Sequence, residues 1–198
     1  MTTRIVVPHR GLAAAKTRLA TVLDPVEREG LARGLLERVL RVATTACDDV
    51  VVISPDPGLA EAVTACRARL SVQHGMGLNR GLAQARREAL ADGVTTLLVL
   101  HGDLPNLHTD DVAALRDAAT GGAGVAIAPD KGGAGTNGLA LHPPDAIGFH
   151  FGAGSFVAHT ADARERGLEP AVVQRPGLAF DLDTPDDLAR WLRLGDAA

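Results

Sequence analysis

Short, nearly continuous apolar runs alternate along the chain with longer segments in which apolar residues return every three or four positions. Such runs are typical of strands covered on both faces, and the spacing between them is typical of helices. The alternation of these strands with helices along the chain predicts a mostly parallel sheet. The predicted strands are Arg4–Val7, Val50–Ser54, Leu70–Gln73, Thr95–His101 and Val125–Ala128, and the predicted helices are Pro25–Ala46, Leu59–Arg69, Leu78–Ala91 and Thr109–Ala119.

The last third of the chain departs from this alternation. Strands are predicted at Leu139–His142 and Ala171–Gln174, and helices at Ser155–Arg166 and from Pro185, where Thr184 is a suitable cap. We interpret residues 1–198 as a single domain, because this length suits one hydrophobic core. The alternating strands and helices span roughly residues 1–130, and the departing part spans roughly residues 131–198.

Composition limits the partners. The formal net charge of -4 provides no general attraction for nucleic acid, so any anion site must be local. No segment approaches the roughly 18 apolar residues that span a bilayer, and the start lacks a basic leader, so we expect a cytoplasmic protein without membrane contact. Cys47 and Cys66 lack the spacing of a zinc site.

The loop after the first strand is the first candidate site. Open α/β sheets bind ligands at the carboxyl ends of their strands, where this loop begins. Lys16 and Arg18 follow several small residues, so the backbone can approach a triphosphate while both side chains donate hydrogen bonds. A solvated basic loop is the alternative. The loop supplies Pro8, Arg10, Gly11, Lys16 and Arg18 as predicted nucleotide-binding residues.

Aspartates provide the second and third candidates. Asp103 follows the apolar run Leu97–Leu100, a position suited to Mg²⁺ beside phosphates, although it could instead cap a turn before Pro105. Asp181 and Asp183 lie two residues apart, and in an extended segment their carboxylates would project from one face, roughly 7 Å apart. The alternative is that one of them only caps the final helix.

Glycine-containing loops form the fourth candidate. The segments Gly132–Asn137 and Phe151–Phe156 could expose backbone N–H groups and hydroxyls to an anion, the second at a helix N-terminus. Gly77 and Asn79 open another predicted helix and are assigned to the nucleotide, with an ordinary Asn cap as the alternative. Each of these loops alone is weak support.

In their order, these motifs resemble the phospholactate and phosphoenolpyruvate guanylyltransferases of coenzyme F-420 biosynthesis. The matching segments are AAAKTRL, GLN, GDLP, GAGTN, FGAGSF and LAFDLDTPDDL, and they extend over nearly the whole chain. The resemblance implies a Rossmann-like three-layer α/β sandwich of the nucleotide-diphospho-sugar transferase type. It also implies transfer of GMP from GTP to a small phosphorylated carboxylic acid, phosphoenolpyruvate or 2-phospho-L-lactate, with 3-phosphoglycerate as an open alternative.

The same resemblance assigns residues to roles. It implies that Mg²⁺ is bound by Asp103, Asp181 and Asp183, which are the catalytic residues together with Lys16. It implies acceptor contacts from Lys16, Thr136, Gly152 and Ser155. We therefore interpret roughly residues 1–130 as the nucleotide-binding core and roughly residues 131–198 as the acceptor- and metal-binding part. Two departures from the family pattern, Arg10 in place of a common lysine and His101-Gly102 in place of Pro-Ala, concern base and acceptor preference.

Two other functions are compatible with the same residues. A transferase of the same fold could act on a sugar phosphate or molybdopterin, and this would show as activity with CTP, UTP or another acceptor. A non-catalytic nucleotide-binding regulatory module would bind without releasing pyrophosphate. The sequence is also compatible with a homodimer.

Overall fold

The structure, a computed structural model, describes residues 1–195. Seven strands form one sheet in the order β3-β2-β1-β4-β6-β5-β7. The strands are β1 Thr3–Pro8, β2 Val50–Ser54, β3 Arg69–Val72, β4 Thr96–Leu100, β5 Val125–Pro129, β6 Thr136–Leu141 and β7 Ala171–Val172. The helices are α1 Pro25–Ala46, α2 Ala60–Ala65, α3 Leu78–Ala91, α4 Thr109–Ala118, α5 Ser155–Glu165, α6 Pro176–Ala179 and α7 Pro185–Gly195.

The sheet is mostly parallel, as predicted, and β6 is the exception. It lies antiparallel between β4 and β5. Consecutive strand residues face opposite sides of the sheet. One apolar cluster packs Ile5 and Val7 against α1 and α4, and another packs Val6 and Val99 against α3 and α5. These two faces make the predicted three-layer sandwich.

Residues close together in the sequence determine where α1 begins. Asp24 accepts a hydrogen bond from the Glu27 N–H at 2.9 Å, and Glu27 accepts one from the Asp24 N–H at 2.8 Å. This reciprocal capping box, with Pro25 in the first turn, confirms the predicted start and the predicted span of α1.

The predicted helix Leu59–Arg69 is wrong at its carboxyl end, since α2 stops at Ala65. Arg67 has a left-handed φ of 59°, and the N–H of Ala68 donates to the Val63 carbonyl. This is a Schellman ending, which glycine usually forms. Because an arginine takes that place here, the sequence contains no visible stop signal.

The strand predicted at Leu139–His142 starts earlier, because β6 already includes Thr136, Asn137 and Gly138. All three are buried. A β-carbon on Gly138 would lie 2.9 Å from Leu115, which explains why a glycine stands inside a strand. The two polar residues are buried because their side chains are hydrogen-bonded near the candidate site.

No helix within residues 1–195 has the length and apolar character that crossing a membrane would require.

Candidate active site

The candidate site lies at one edge of the sheet, where β1 and β4 end side by side. These two strands are parallel neighbours, so the loop after Pro8 and the segment containing Asp103 leave the sheet together. Because β6 is antiparallel, its amino end reaches the same edge, and the His101 N–H donates to the Asn137 carbonyl at 3.1 Å. The topology therefore brings three distant segments together.

Lys16 is the centre of this site. Its Nζ lies 2.6 Å from Asp103 Oδ2 and 3.0 Å from Asp183 Oδ1, and its side chain is only 6% exposed. The Lys16 backbone is left-handed, with φ 53° and ψ 35°, a conformation that costs energy for a residue with a β-carbon and often occurs at functional sites. Arg18 is more exposed and lies 3.6 Å from Asp183.

The surrounding charges keep Lys16 and Asp103 ionised. Burial alone would lower the pKa of Lys16, but the carboxylates of Asp103 and Asp183 raise it above its ordinary value. Burial likewise opposes ionisation of Asp103, yet the Lys16 ammonium lowers the pKa of that carboxyl. The ion pair is therefore formed between an ammonium and an ionised carboxylate, and the solvated-loop alternative for Lys16 is wrong.

The segment that carries Asp181 and Asp183 is fixed to Asp103 through the backbone. The Leu182 N–H donates to the Asp103 carbonyl at 3.1 Å, and Asn137 Nδ2 donates to Asp181 Oδ1 at 3.3 Å. Burial, followed by the nearby charge of Asp103, raises the pKa of Asp181. The aspartates predicted from two separate motifs therefore belong to one electrostatic group.

A capping interaction holds the start of α7 next to this group. Thr184 Oγ1 accepts from the Asp187 N–H at 3.3 Å, and the Thr184 N–H donates to Asp187 Oδ2 at 2.9 Å. Thr184 is thus the cap, as predicted, which leaves Asp183 free of that role. Lys131, the second lysine of the chain, pairs with Asp187 and so stabilises the start of α7, just after Asp183.

The carboxylates of Asp103 and Asp181 have the chemistry of Mg²⁺ ligands. Asp103 Oδ1 is buried and has no hydrogen-bond partner among the described residues, and burial together with the neighbouring carboxylates disfavours the charge of Asp181, so both would gain from a cation. Carboxylate oxygen is the ligand Mg²⁺ favours. Within residues 1–195, however, no three acidic, thiol or imidazole groups already enclose a metal position. Instead, the Lys16 ammonium lies between Asp103 and Asp183.

A cavity of about 560 Å³ opens beside Lys16. This volume is suitable for a nucleotide-sized ligand. The cavity extends from the loop after β1 to the segment Gln73–Leu78. Most of the predicted nucleotide-binding residues line it, together with one of the aspartates from the carboxyl-terminal motif: Pro8, Arg10, Lys16, Arg18, Gly77, Asp103 and Asp183.

Gly11 and Asn79 do not line this cavity. Gly11 has a φ of 95°, and a β-carbon there would lie 3.0 Å from Asp56, so this position requires glycine for the turn. Asn79 Nδ2 donates to the Phe151 carbonyl at 3.0 Å, and Asn79 Oδ1 accepts from the Phe151 N–H at 2.9 Å. Gly77, not Asn79, is the cap of α3, so the ordinary Asn cap is wrong.

The predicted acceptor residues other than Lys16 form a separate group, the acceptor cluster, defined as Thr136, Gly152 and Ser155. None of them lines the cavity, and both hydroxyl residues are 2% exposed. The Ser155 N–H donates to the Gly152 carbonyl, and the next N–H, from Phe156, donates to Ala134. Two N–H groups at this helix start are therefore already used within the protein.

His159, which the sequence pattern did not single out, organises the acceptor cluster. It is fully buried, its Nδ1 lies 3.1 Å from Thr136 Oγ1, and its Nε2 accepts from the His150 N–H at 3.0 Å. Phe151 packs edge-on against it with ring centroids 4.9 Å apart. The signal that could have found His159 is its spacing, one helical turn after Ser155.

Acidification should destabilise the protein through His159. Burial, with a smaller contribution from His150, lowers its pKa to about 4 from an ordinary 6.5. The unfolded chain therefore binds more protons between these values, so this stability is complete above pH 6.5 and is lost as the pH falls towards 4. Between pH 7 and pH 5 we expect a loss of about 2 kcal/mol from this residue.

Urea unfolding at both pH values measures this effect. His159→Gln should show a smaller pH dependence than the unchanged protein, whereas His74→Gln, at an exposed histidine, should not. Equal pH dependence for His159→Gln and the unchanged protein would contradict the assignment.

Known proteins are similar to this chain over nearly its whole length. The family described as "Guanylyl transferase CofC like" matches residues 3–197. A phosphoenolpyruvate guanylyltransferase of Sphaerobacter thermophilus is 48% identical over 95% of this chain and 91% of its own. One from Rubrobacter xylanophilus is 46% identical over 93% and 91%. A 2-phospho-L-lactate guanylyltransferase of Methanothermobacter thermautotrophicus is 36% identical over 99% and 86%.

Solved structures confirm the fold. A Desulfovibrio desulfuricans G20 protein, provisionally described as a nucleotide-diphospho-sugar transferase, superposes with a TM-score of 0.80 at 22% identity, over 98% of this chain and 88% of that one. 4-Diphosphocytidyl-2C-methyl-D-erythritol synthase superposes with a TM-score of 0.67 at 17% identity, over 98% of both chains. With the family match over nearly the whole sequence, this chain belongs to the CofC-like guanylyltransferase family.

Proposed function

We propose that this protein transfers GMP from GTP to the phosphate of phosphoenolpyruvate or 2-phospho-L-lactate and releases pyrophosphate, as a step of coenzyme F-420 biosynthesis. Family membership supports the reaction type. The observation that carries the proposal is the buried Lys16 ammonium, paired with the half-buried carboxylates of Asp103 and Asp183 beside a cavity of about 560 Å³.

The reaction brings two polyanions together. An acceptor phosphate oxygen forms a bond to the α-phosphorus of GTP, and the bond from that phosphorus to the bridging oxygen of pyrophosphate breaks. A phosphate oxygen is already ionised, so no general base is needed. The main demands on the protein are alignment and compensation of negative charge.

Charged residues of the cavity can compensate this negative charge. Lys16 is held by two carboxylates, so its ammonium is in place before substrate binds. Arg18 lies at the same mouth with an exposed side chain that can reach the phosphates of the nucleotide. Both residues would align the triphosphate and offset the charge that moves to the pyrophosphate during transfer.

Asp103, Asp181 and Asp183 would hold Mg²⁺ in this proposal. The ion would act as a Lewis acid toward phosphate oxygens. Support comes from the unpartnered oxygen of Asp103 and the raised pKa of Asp181. The acceptor residues are proposed to be Lys16, Thr136, Gly152 and Ser155, with the acceptor cluster opening when the acid binds.

Nucleotide and acceptor panels test the proposal by pyrophosphate release. We expect activity with GTP and Mg²⁺ and with phosphoenolpyruvate or 2-phospho-L-lactate, and little with CTP or UTP. Ethyl phosphate should be a poor acceptor, because it lacks a carboxylate and would leave polar groups unpaired; such discrimination can reach ~10⁴-fold.

Two outcomes would contradict parts of this proposal. Preferred use of CTP or UTP with a sugar phosphate would replace it by another transferase activity. Equal catalytic efficiency for ethyl phosphate and the best acid would overturn the carboxylate requirement alone, and 3-phosphoglycerate belongs in the panel as a related acid.

A further inference from the structure

His9 lies at the end of β1 between two segments of the candidate site. Its N–H continues the sheet by donating to the Ile53 carbonyl at 3.0 Å. A β-carbon on Gly102 would lie 3.7 Å from His9 Cδ2, so the ring stands directly beside the segment that leads to Asp103. The ring also lines the cavity of about 560 Å³.

One hydrogen bond fixes the tautomer of this ring. The Gly11 N–H donates to His9 Nδ1 at 3.1 Å. Since Nδ1 accepts, the ring proton must be on Nε2. Burial lowers the pKa of His9 to about 4, so the ring is neutral near pH 7. Nε2 thus carries a hydrogen that binds no other group within residues 1–195.

The groups around the His9 ring indicate which kind of ligand atom its Nε2–H would bind. The charges that act most strongly on His9 are those of Asp103 and Lys16, which line the same cavity. The proposed function puts the phosphates of the nucleotide beside Lys16, so the His9 ring lies where they would bind. A neutral donor can bind a phosphate oxygen there without adding another positive charge beside the Lys16 ammonium. Bonds from a neutral donor to a charged acceptor are stronger than those between neutral partners.

We propose that His9 is a nucleotide-binding residue whose Nε2–H donates a hydrogen bond to a phosphate oxygen of GTP. Its Nδ1 accepts the hydrogen bond from the Gly11 N–H, and its Nε2–H is the group that the nucleotide would contact. The identity of the nucleotide rests on the proposed function, whereas the presence of the donor does not.

Two substitutions distinguish the roles of the two ring nitrogen atoms of His9. His9→Asn keeps an acceptor near the Nδ1 position and so preserves the bond from the Gly11 N–H, but it removes the donor of the cavity. His9→Gln places an amide N–H near the Nε2 position. The dissociation constant for GTP, measured by calorimetry in Mg²⁺, should rise about ten-fold in His9→Asn and stay near the unchanged value in His9→Gln.

Further measurements define the contact. The KM for the acceptor should be the same in both variants and the unchanged protein. The ten-fold effect of His9→Asn should also appear with 2′-deoxy-GTP; if it vanished there, the contact would be to the ribose and the phosphate assignment would be wrong. His108→Asn, at an exposed histidine away from the cavity, serves as the control. Thermal unfolding checks that every variant is folded.

Failure of this inference differs from failure of the proposed function. An equal dissociation constant for GTP in His9→Asn and the unchanged protein overturns the His9 assignment, whatever the activity. Absence of guanylyl transfer in the unchanged protein overturns the reaction, while the comparison of dissociation constants still decides the role of His9.

Discussion

Asp183→Asn is expected to reduce pyrophosphate release on the order of 100-fold or more, while the protein stays folded. Asp183 accepts a hydrogen bond from Lys16 and lies 3.6 Å from Arg18, so its charge holds both basic residues at the cavity. An amide of the same size keeps the shape of the side chain. It loses the charge, and it is also a weaker ligand for Mg²⁺.

The sequence offers a matched control within the same motif. Asp186 is three residues further along, exposed, and in the first turn of α7. Asp186→Asn removes the same charge without touching Lys16 and should keep near-normal rates. Mn²⁺ affinity, measured by electron paramagnetic resonance without substrate, should fall in Asp183→Asn and not in Asp186→Asn.

Normal Mg²⁺-dependent activity of Asp183→Asn would contradict the three-aspartate site. Reduced activity with unchanged Mn²⁺ affinity would limit Asp183 to holding Lys16 and Arg18. Asp103→Asn should show a similar loss of activity, because Asp103 makes the shorter contact to Lys16, at 2.6 Å.

The sequence predicts elements well where the signal is local. The capping box of α1 and the apolar run of β2 are read from adjacent residues, and both spans are confirmed. The end of α2 could not be predicted, because the left-handed residue there is Arg67 and not glycine. Thr136 and Asn137 could not be assigned to β6, because their burial depends on partners 23 and 41 residues away.

The same distinction applies to the site. Lys16, Asp103 and Asp183 were predicted from separate motifs. The parallel neighbours β1 and β4 bring the first two together, and the bond from the Leu182 N–H to the Asp103 carbonyl brings Asp183 beside them. Roles that depend on hydrogen bonds to distant backbone groups were not visible. Asn79 is an example: its amide is bound to Phe151, 72 residues away. The pairing of Lys131 with the side chain of Asp187, 56 residues away, was likewise not visible in the sequence.

Lys16→Met should abolish most activity and also destabilise the fold. Methionine keeps much of the length and apolar surface of the lysine but removes the ammonium that pairs with Asp103 and Asp183. A buried charge that loses its partner is costly, so we expect the free energy of unfolding to fall by about 3 kcal/mol. Arg38→Met, at an exposed position of α1, is the control and should change neither quantity appreciably.

A double variant separates the structural part of this effect from the catalytic part. In Lys16→Met/Asp103→Asn the unpaired buried carboxylate is gone, so the free energy of unfolding should recover by more than the two single changes predict when added. Activity should stay low, because both charged groups of the proposed mechanism are missing. Mg²⁺ should also raise the melting temperature of Lys16→Met more than that of the unchanged protein, since a cation can replace the lost ammonium between the carboxylates. Strict additivity in the double variant, together with a normal rate for Lys16→Met, would show that this ion pair organises neither the site nor the fold.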